Sequence, residues 1–287
     1  MGLLSTAGIV SQVGALHKFA DQQSGSDRMP VFFFGHGSPM NAIEENSFTK
    51  EWNVIGNNLE RPKAILCISA HWETSGTWVT AMPQPKTIHD FGGFPQALFE
   101  VHYPAPGDVS LANDVKSTIS STQVGLDDKW GLDHGCWSVV KHLYPNADIP
   151  VIQMSIDYTK PAEYHYSLAK ELKKLRRKGI LIIGSGNMVH NLRLVAWDKM
   201  NVDNYAFDWA TEANDKMKSY ISDKDHQPLI KYEQQGRAFQ MAIPSPDHYL
   251  PLLYSLALQE EDENTSFFND EAVMGSLTMT SVRIGNI

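Results

Sequence analysis

The chain has 287 residues, 42% of them hydrophobic and 20% charged, the balance of an ordinary soluble globular protein. A formal net charge of −9 excludes, on bulk charge, a basic face for nucleic acid. The two cysteines, Cys67 and Cys136, exclude a disulfide scaffold and point to a reducing compartment.

Residues 1–28 read as a partly helical N-terminal extension without chemistry, and 29–287 as one domain. The start lacks the basic and continuously apolar segments of a secretory signal, and Met1-Gly2 with Thr6 matches a myristoylation pattern only by chance. Val31–Phe34 reads as a buried strand, followed by a helix over Asn46–Leu59 and strands over Ala64–Ser69 and Thr77–Ala81. Asp108–Ser120 is a helix with an acidic residue at its cap, then Pro150–Ser155 a strand. Pro161–Arg177 has Pro in its first turn and Leu168, Leu172 and Leu175 at helical spacing. Its basic end, Lys173 to Lys178, complements the negative helix terminus and reads as solvated. Ile180–Gly184 follows as a strand, Tyr205–Ile221 as a helix, Ala238–Ile243 as a strand and His248–Leu258 as a helix. Gln259–Asn264 reads as an acidic surface loop before a last strand, Ser276–Ile284. This alternation predicts a single α/β domain with a central, mostly parallel or mixed sheet covered by helices on both faces. No apolar run approaches the roughly 18 residues needed to cross a bilayer, so a cytoplasmic protein without membrane partners is expected.

Four histidines stand in short segments marked by Gly, Asn or Pro. They are His36 in Gly-His-Gly-Ser-Pro, His71 in Ser-Ala-His-Trp, His190 in Gly-Ser-Gly-Asn-Met-Val-His-Asn, and His248 in Pro-Asp-His-Tyr. His36 and His71 each follow a strand, and the helix between makes the pair one βαβ unit. Its parallel strands bring both histidines to the same sheet edge, where open α/β sheets place their ligand crevice. Imidazole is the commonest protein ligand for a divalent transition metal, so the chain reads as a mononuclear metalloenzyme. A histidine taken alone after a strand is more often a capped or hydrogen-bonded core residue than a ligand, and the register of His190 and His248 against the first pair is open.

His134, beside Asp133 in a tight segment, reads either as a turn former or as an acid/base residue. His89, beside Asp90, Phe91 and paired glycines, reads as an ordinary loop or a pocket lid. His17, His142, His165 and His226 fall on expected surface helices or loops and receive no role. The aromatics Phe32–Phe34, Trp72, Trp130 and Trp137 are better explained by core packing than by a peptide-binding face.

Together, six ordered motifs resemble the LigB-type extradiol ring-cleaving dioxygenases, specifically the 4,5-DOPA dioxygenase subgroup. They are Gly-His-Gly-Ser-Pro, Ser-Ala-His-Trp, His-Asp-Phe-Gly-Gly-Phe-Pro, Leu-Asp-His-Gly, Gly-Ser-Gly-Asn-x-Val-His-Asn-Leu and Asp-His-Tyr-Leu-Pro, from residue 29 to the end. The resemblance implies one non-haem divalent metal held by His36, His71 and His248, with His190 a fourth ligand or the general base. It further implies His134 as a catalytic group, and Ser38, His89, Asp90, Phe91, Asp133 and Asn187 as substrate contacts. Fe(II) is implied for ring cleavage, with Zn(II) also suited to neutral imidazoles. The implied partners are a catechol and O2, with the chain a monomer or small homo-oligomer. Protocatechuate-cleaving relatives use a glutamate as third ligand where this chain has His248; an all-histidine set leaves the ion its full charge, which favours a catecholate. The competing expectation is a zinc hydrolase or a non-catalytic scaffold of the same fold.

Overall fold

A computed structural model of the protein describes residues 28–286. The expected extension up to residue 27, with His17 and the Met1-Gly2 start, lies outside the described residues. In chain order the strands are β1 Val31–Gly35, β2 Ala64–Thr74, β3 Thr77–Thr80, β4 Val124–Asp127, β5 Val151–Asp157, β6 Ile180–Gly186, β7 Thr265–Phe268, β8 Ala272–Val273, β9 Leu277–Thr278 and β10 Ser281–Ile284. The helices are α1 Ser47–Asn58, α2 Gln96–Phe99, α3 Val109–Thr118, α4 His134–Leu143, α5 Ala162–Lys170, α6 Lys173–Arg176, α7 Asp208–Ser222, α8 Gln227–Ile230, α9 Arg237–Ala242 and α10 Leu250–Ala257.

Eight strands form one mixed sheet in the order β4-β3-β5-β2-β6-β1-β10-β7. The central four, β5-β2-β6-β1, are parallel, while β10 runs antiparallel to β1 and β7 antiparallel to β10. Successive strand side chains alternate in direction, so each central strand feeds two cores. Val31, Phe33, Leu66, Ile68 and Ile182 pack with α3, α5, α7 and α10 on one face. Phe32, Phe34, Ile65, Cys67 and Ile183 pack with α1 and α4 on the other. This is the expected α/β domain with helices on both faces, and no helix among the described residues is long and apolar enough to cross a membrane.

Several local expectations are corrected. Ala238–Ile243 is not a strand: Ala238, Phe239 and Ala242 are buried on one face of α9, opposite an exposed Gln240, and Ile243 is its buried C-cap. Pro161–Arg177 is two helices separated at Glu171 and Leu172. Ser276–Ile284 is divided between β9 and β10, and the short edge strands β4 and β7 carry no alternating sequence signal. Cys136 lies within α4, and both thiols are buried and free. His165 and His226 are buried, bonded through Nδ1 to the Tyr254 and Tyr166 hydroxyls at 2.9 and 2.8 Å. The basic cluster is only partly solvated. Arg176 is fully buried against Glu263, and Arg177 and Arg28 both pair with Glu260, so the acidic stretch is also a clamp.

Candidate metal centre

The register of the parallel strands builds the site. Gly35 of β1 lies opposite Gly186 of β6, and Ser69 of β2 opposite Ser185 of β6. His36 and His71 therefore reach the same level at the carboxyl edge of the sheet. The His36 N–H continues the ladder one step, onto the Gly186 carbonyl at 3.0 Å. His71 is still inside β2, which shifts register against β5 between Ile68 and Glu73. Neither glycine of Gly184-Ser185-Gly186 takes a positive φ, and both stay within β6. They permit close approach, because a β-carbon on Gly186 would lie 2.1 Å from the His248 carbonyl oxygen. That contact, with the Asn187 N–H on the same carbonyl at 2.9 Å, delivers His248 to the site from a turn just before α10. His248 thus follows helix α9, not a strand.

The imidazoles of His36, His71 and His248 converge, with one ligating nitrogen of each within 4.8 Å of the others. Nε2 of His36 and Nε2 of His71 are 3.1 Å apart. Two nitrogens sharing one ion at about 2.0–2.1 Å each stand about 2.9–3.4 Å apart for right-angled to tetrahedral geometry, so the spacing fits. The other ring nitrogens are engaged by oxygens: His36 Nδ1 by Ser185 Oγ at 2.9 Å, His248 Nδ1 by the Asp247 carboxylate, and His71 Nδ1 by Asp90 Oδ2 at 3.4 Å. An Nδ1 proton anchored on oxygen leaves Nε2 as a bare lone pair, the usual arrangement of a metal-binding histidine. Burial, then the neighbouring imidazoles, push His36 and His71 well below the ordinary histidine value. Such rings are neutral at neutral pH, the form that donates to a cation. The donor set fits one divalent ion of the borderline class that imidazole favours.

Two further histidines flank the cluster. His190 stacks on His248, centroids 3.6 Å apart and planes 8° from parallel. Burial, then the His248 charge, bring its pKa down to about 3. His134, first residue of α4, lies beside His71 with ring centroids 3.9 Å apart. Asp90 takes the His134 N–H on Oδ1 and His134 Nδ1 on Oδ2, both at 2.9 Å. Although burial opposes it, these hydrogen bonds hold the Asp90 carboxyl below its usual range. Asp247 is likewise held low by His248 against burial.

A model of the family described as the catalytic LigB subunit of aromatic ring-opening dioxygenase matches residues 30–283. This chain belongs to the LigB family. Among its relatives, the "4,5-DOPA dioxygenase extradiol" of Escherichia coli (strain K12) is 46% identical over 265 residues, covering 91% of this chain and 96% of the relative. The protein of the same name in Beta vulgaris is 33% identical over 263 residues, covering 88% and 96%. A crystal structure of an uncharacterized protein from Escherichia coli K12 superposes with a TM-score of 0.78 at 42% identity, covering 90% of this chain and all of that one. The LigB-family chain is accordingly an oxidoreductase of the extradiol dioxygenase type.

The other expected site residues of this LigB-family protein are placed as follows around the cluster. Phe91 packs edge-on to His134, centroids 5.5 Å apart, in an aromatic group with Phe94, Phe99 and Trp137. Asp90, expected at the substrate, braces His134 and lies beside His71. Asp133 is fully buried beneath the site, accepting from Ser69 Oγ at 2.6 Å and Gln153 Nε2 at 2.7 Å, and it caps α4. Burial and the Asp90 charge raise its pKa, against those hydrogen bonds. His89 bonds the Val101 carbonyl at 2.9 Å and so ties down the Asp90 loop. Asn187 is buried, its amide donating to the Thr278 carbonyl at 2.8 Å. Ser38 is exposed and its hydroxyl accepts the Met40 N–H, capping the 3-10 helix Pro39–Ala42. The sequence reading missed Ser69, Gln153, Ser185 and Asp247. Only Asp247 carried a signal, a carboxylate adjacent to a candidate ligand.

Proposed function

We propose that this dioxygenase opens the ring of a DOPA-type catechol with O2 at one divalent metal held by His36, His71 and His248, within a catalytic domain spanning 29–287. The observation that carries the reading is the convergence of three imidazoles from three separate segments, one ligating nitrogen of each within 4.8 Å of the others, and each with an oxygen beside its Nδ1. The relatives named for DOPA supply the substrate class. When bound, Fe(II) supplies a positive charge for the catecholate and the redox capacity that oxygen chemistry requires, whereas zinc in the same place is redox-inert.

The chain's own residues prepare the substrate. His190, kept neutral by burial, accepts a proton from a catechol hydroxyl as it ionises, and its stacking on His248 fixes the plane in which it does so. His134 carries its proton on Nδ1 against Asp90, which leaves Nε2 to meet a substrate oxygen. Phe91 and its aromatic neighbours form an apolar wall suited to a planar ring and exclude water from that side. The buried free thiols favour a cytoplasmic setting.

The test loads the protein with Fe(II) under anaerobic conditions, adds a panel of catechols and then admits oxygen. Oxygen uptake with a yellow ring-opened product supports the reading; neither event at full iron occupancy favours a non-oxidative metalloprotein. His190→Gln should keep its metal better than His36→Ala yet lose turnover. Equal metal loss in both would make His190 a ligand.

A further inference from the structure

Ser185 is fully buried at the end of β6, between two glycines whose missing side chains are accounted for by packed backbone. A β-carbon on Gly184 would fall 2.4 Å from the Pro251 oxygen, and one on Gly186 2.1 Å from the His248 oxygen. Within Gly-Ser-Gly, only the serine can present a functional group. Phe34 and Ser69 lie opposite it on β1 and β2, so the Ser185 hydroxyl faces the layer that holds α4. There Ser185 Oγ bonds the Gly135 carbonyl at 2.5 Å and His36 Nδ1 at 2.9 Å, while Ser69 Oγ holds Asp133 in the same helical turn.

Proton accounting fixes the direction of this chain. A carbonyl oxygen only accepts, and a serine hydroxyl has one proton to give. The Ser185 proton goes to Gly135, so the second bond runs from His36 Nδ1–H to Ser185 Oγ. A neutral His36 then has no proton on Nε2, the atom that faces His71 Nε2. We propose that Ser185 is a positioning residue that selects the Nδ1–H tautomer of His36 and thereby holds its Nε2 lone pair ready for the metal. It also ties His36 to the first turn of α4, the turn that carries His134. The inference rests on reading His36 as a ligand.

Two measurements test it. Long-range ¹⁵N–¹H correlation on metal-free, ¹⁵N-histidine-labelled wild-type protein at neutral pH reads the tautomer directly, with His36 assigned by its loss in His36→Gln. The expected pattern is a protonated Nδ1 and a bare Nε2; a protonated Nε2 overturns the proposal, and the tautomer itself is read on unaltered protein. Chelator competition with Zn(II) then compares wild type, Ser185→Ala and Ser185→Thr, each checked for folding by thermal melt. Alanine should weaken affinity about 10–100-fold, the usual consequence of removing a partner behind a metal-binding histidine, and threonine should recover most of it. Alanine within twofold of wild type, or threonine as poor as alanine, overturns the proposal. Zinc stoichiometry unchanged in His36→Ala would instead defeat the metal reading, leaving the tautomer to be decided by the spectrum alone.

Discussion

Asp90→Asn isolates the brace on His134 with almost no change of shape. The wild-type carboxylate receives the His134 N–H on Oδ1 and His134 Nδ1 on Oδ2, each at 2.9 Å, with His71 Nδ1 on the same Oδ2 at the longer 3.4 Å. Asparagine has one oxygen for these tasks. With that oxygen on the ring, its NH2 opposes the backbone N–H; with it on the backbone, the NH2 opposes Nδ1–H and drives the His134 proton to Nε2. Either way one charge-assisted bond is lost, worth about 1.5–3 kcal/mol. Expressed entirely in the transition state, that is roughly a 10- to 160-fold fall in kcat/KM. The assay is oxygen uptake by iron-loaded protein across catechol concentrations, with metal content measured on the same sample. Metal occupancy should hold, because Asp90 reaches His71 only weakly. A kcat/KM within twofold of wild type at equal occupancy would refute the brace, and parallel loss of metal and activity would make Asp90 a support of the metal instead.

Acidification should destabilise the metal-free protein. Burial keeps His190 near 3 and His165 and His226 near 4, against about 6.5 in the unfolded chain. The folded state thus binds fewer protons below pH 6.5, so stability is full above that value and declines toward pH 4, by up to about 1.4 kcal/mol per pH unit for each group. A urea midpoint that stays flat from pH 7 to 4 in chelator contradicts this. Gly186→Ala should cost about 1–3 kcal/mol and weaken metal binding, since its β-carbon would meet the His248 carbonyl, whereas Gly92→Ala, with open space around it, should be silent in melt and metal titration alike. Glu263→Gln leaves the fully buried Arg176 guanidinium without its charge partner. Denaturant unfolding should show a loss of about 3–5 kcal/mol.

The parallel heart of the fold was legible because its strands are buried on both faces and read as unbroken apolar runs. The βαβ rule then placed His36 and His71 together without any knowledge of other elements. His248 was harder: its position depends on the contact of its carbonyl with Gly186, a meeting of segments far apart in the chain that no local period encodes. Ala238–Ile243 misled because a short apolar run fits a strand as well as one buried turn of helix. Ser69, Gln153 and Ser185 were invisible for another reason. A hydroxyl or amide inside a strand has no spacing signature, and its importance arises only from the imidazole or carboxylate that packing sets against it.

The central claim is that one ion sits among the Nε2 atoms of His36, His71 and His248. Anomalous diffraction from crystals loaded with Fe(II) or Zn(II) tests it most directly. The account predicts a single strong peak within bonding distance of those three nitrogens, absent from His36→Ala crystals. A peak held by other residues, or none at saturating metal, would contradict it.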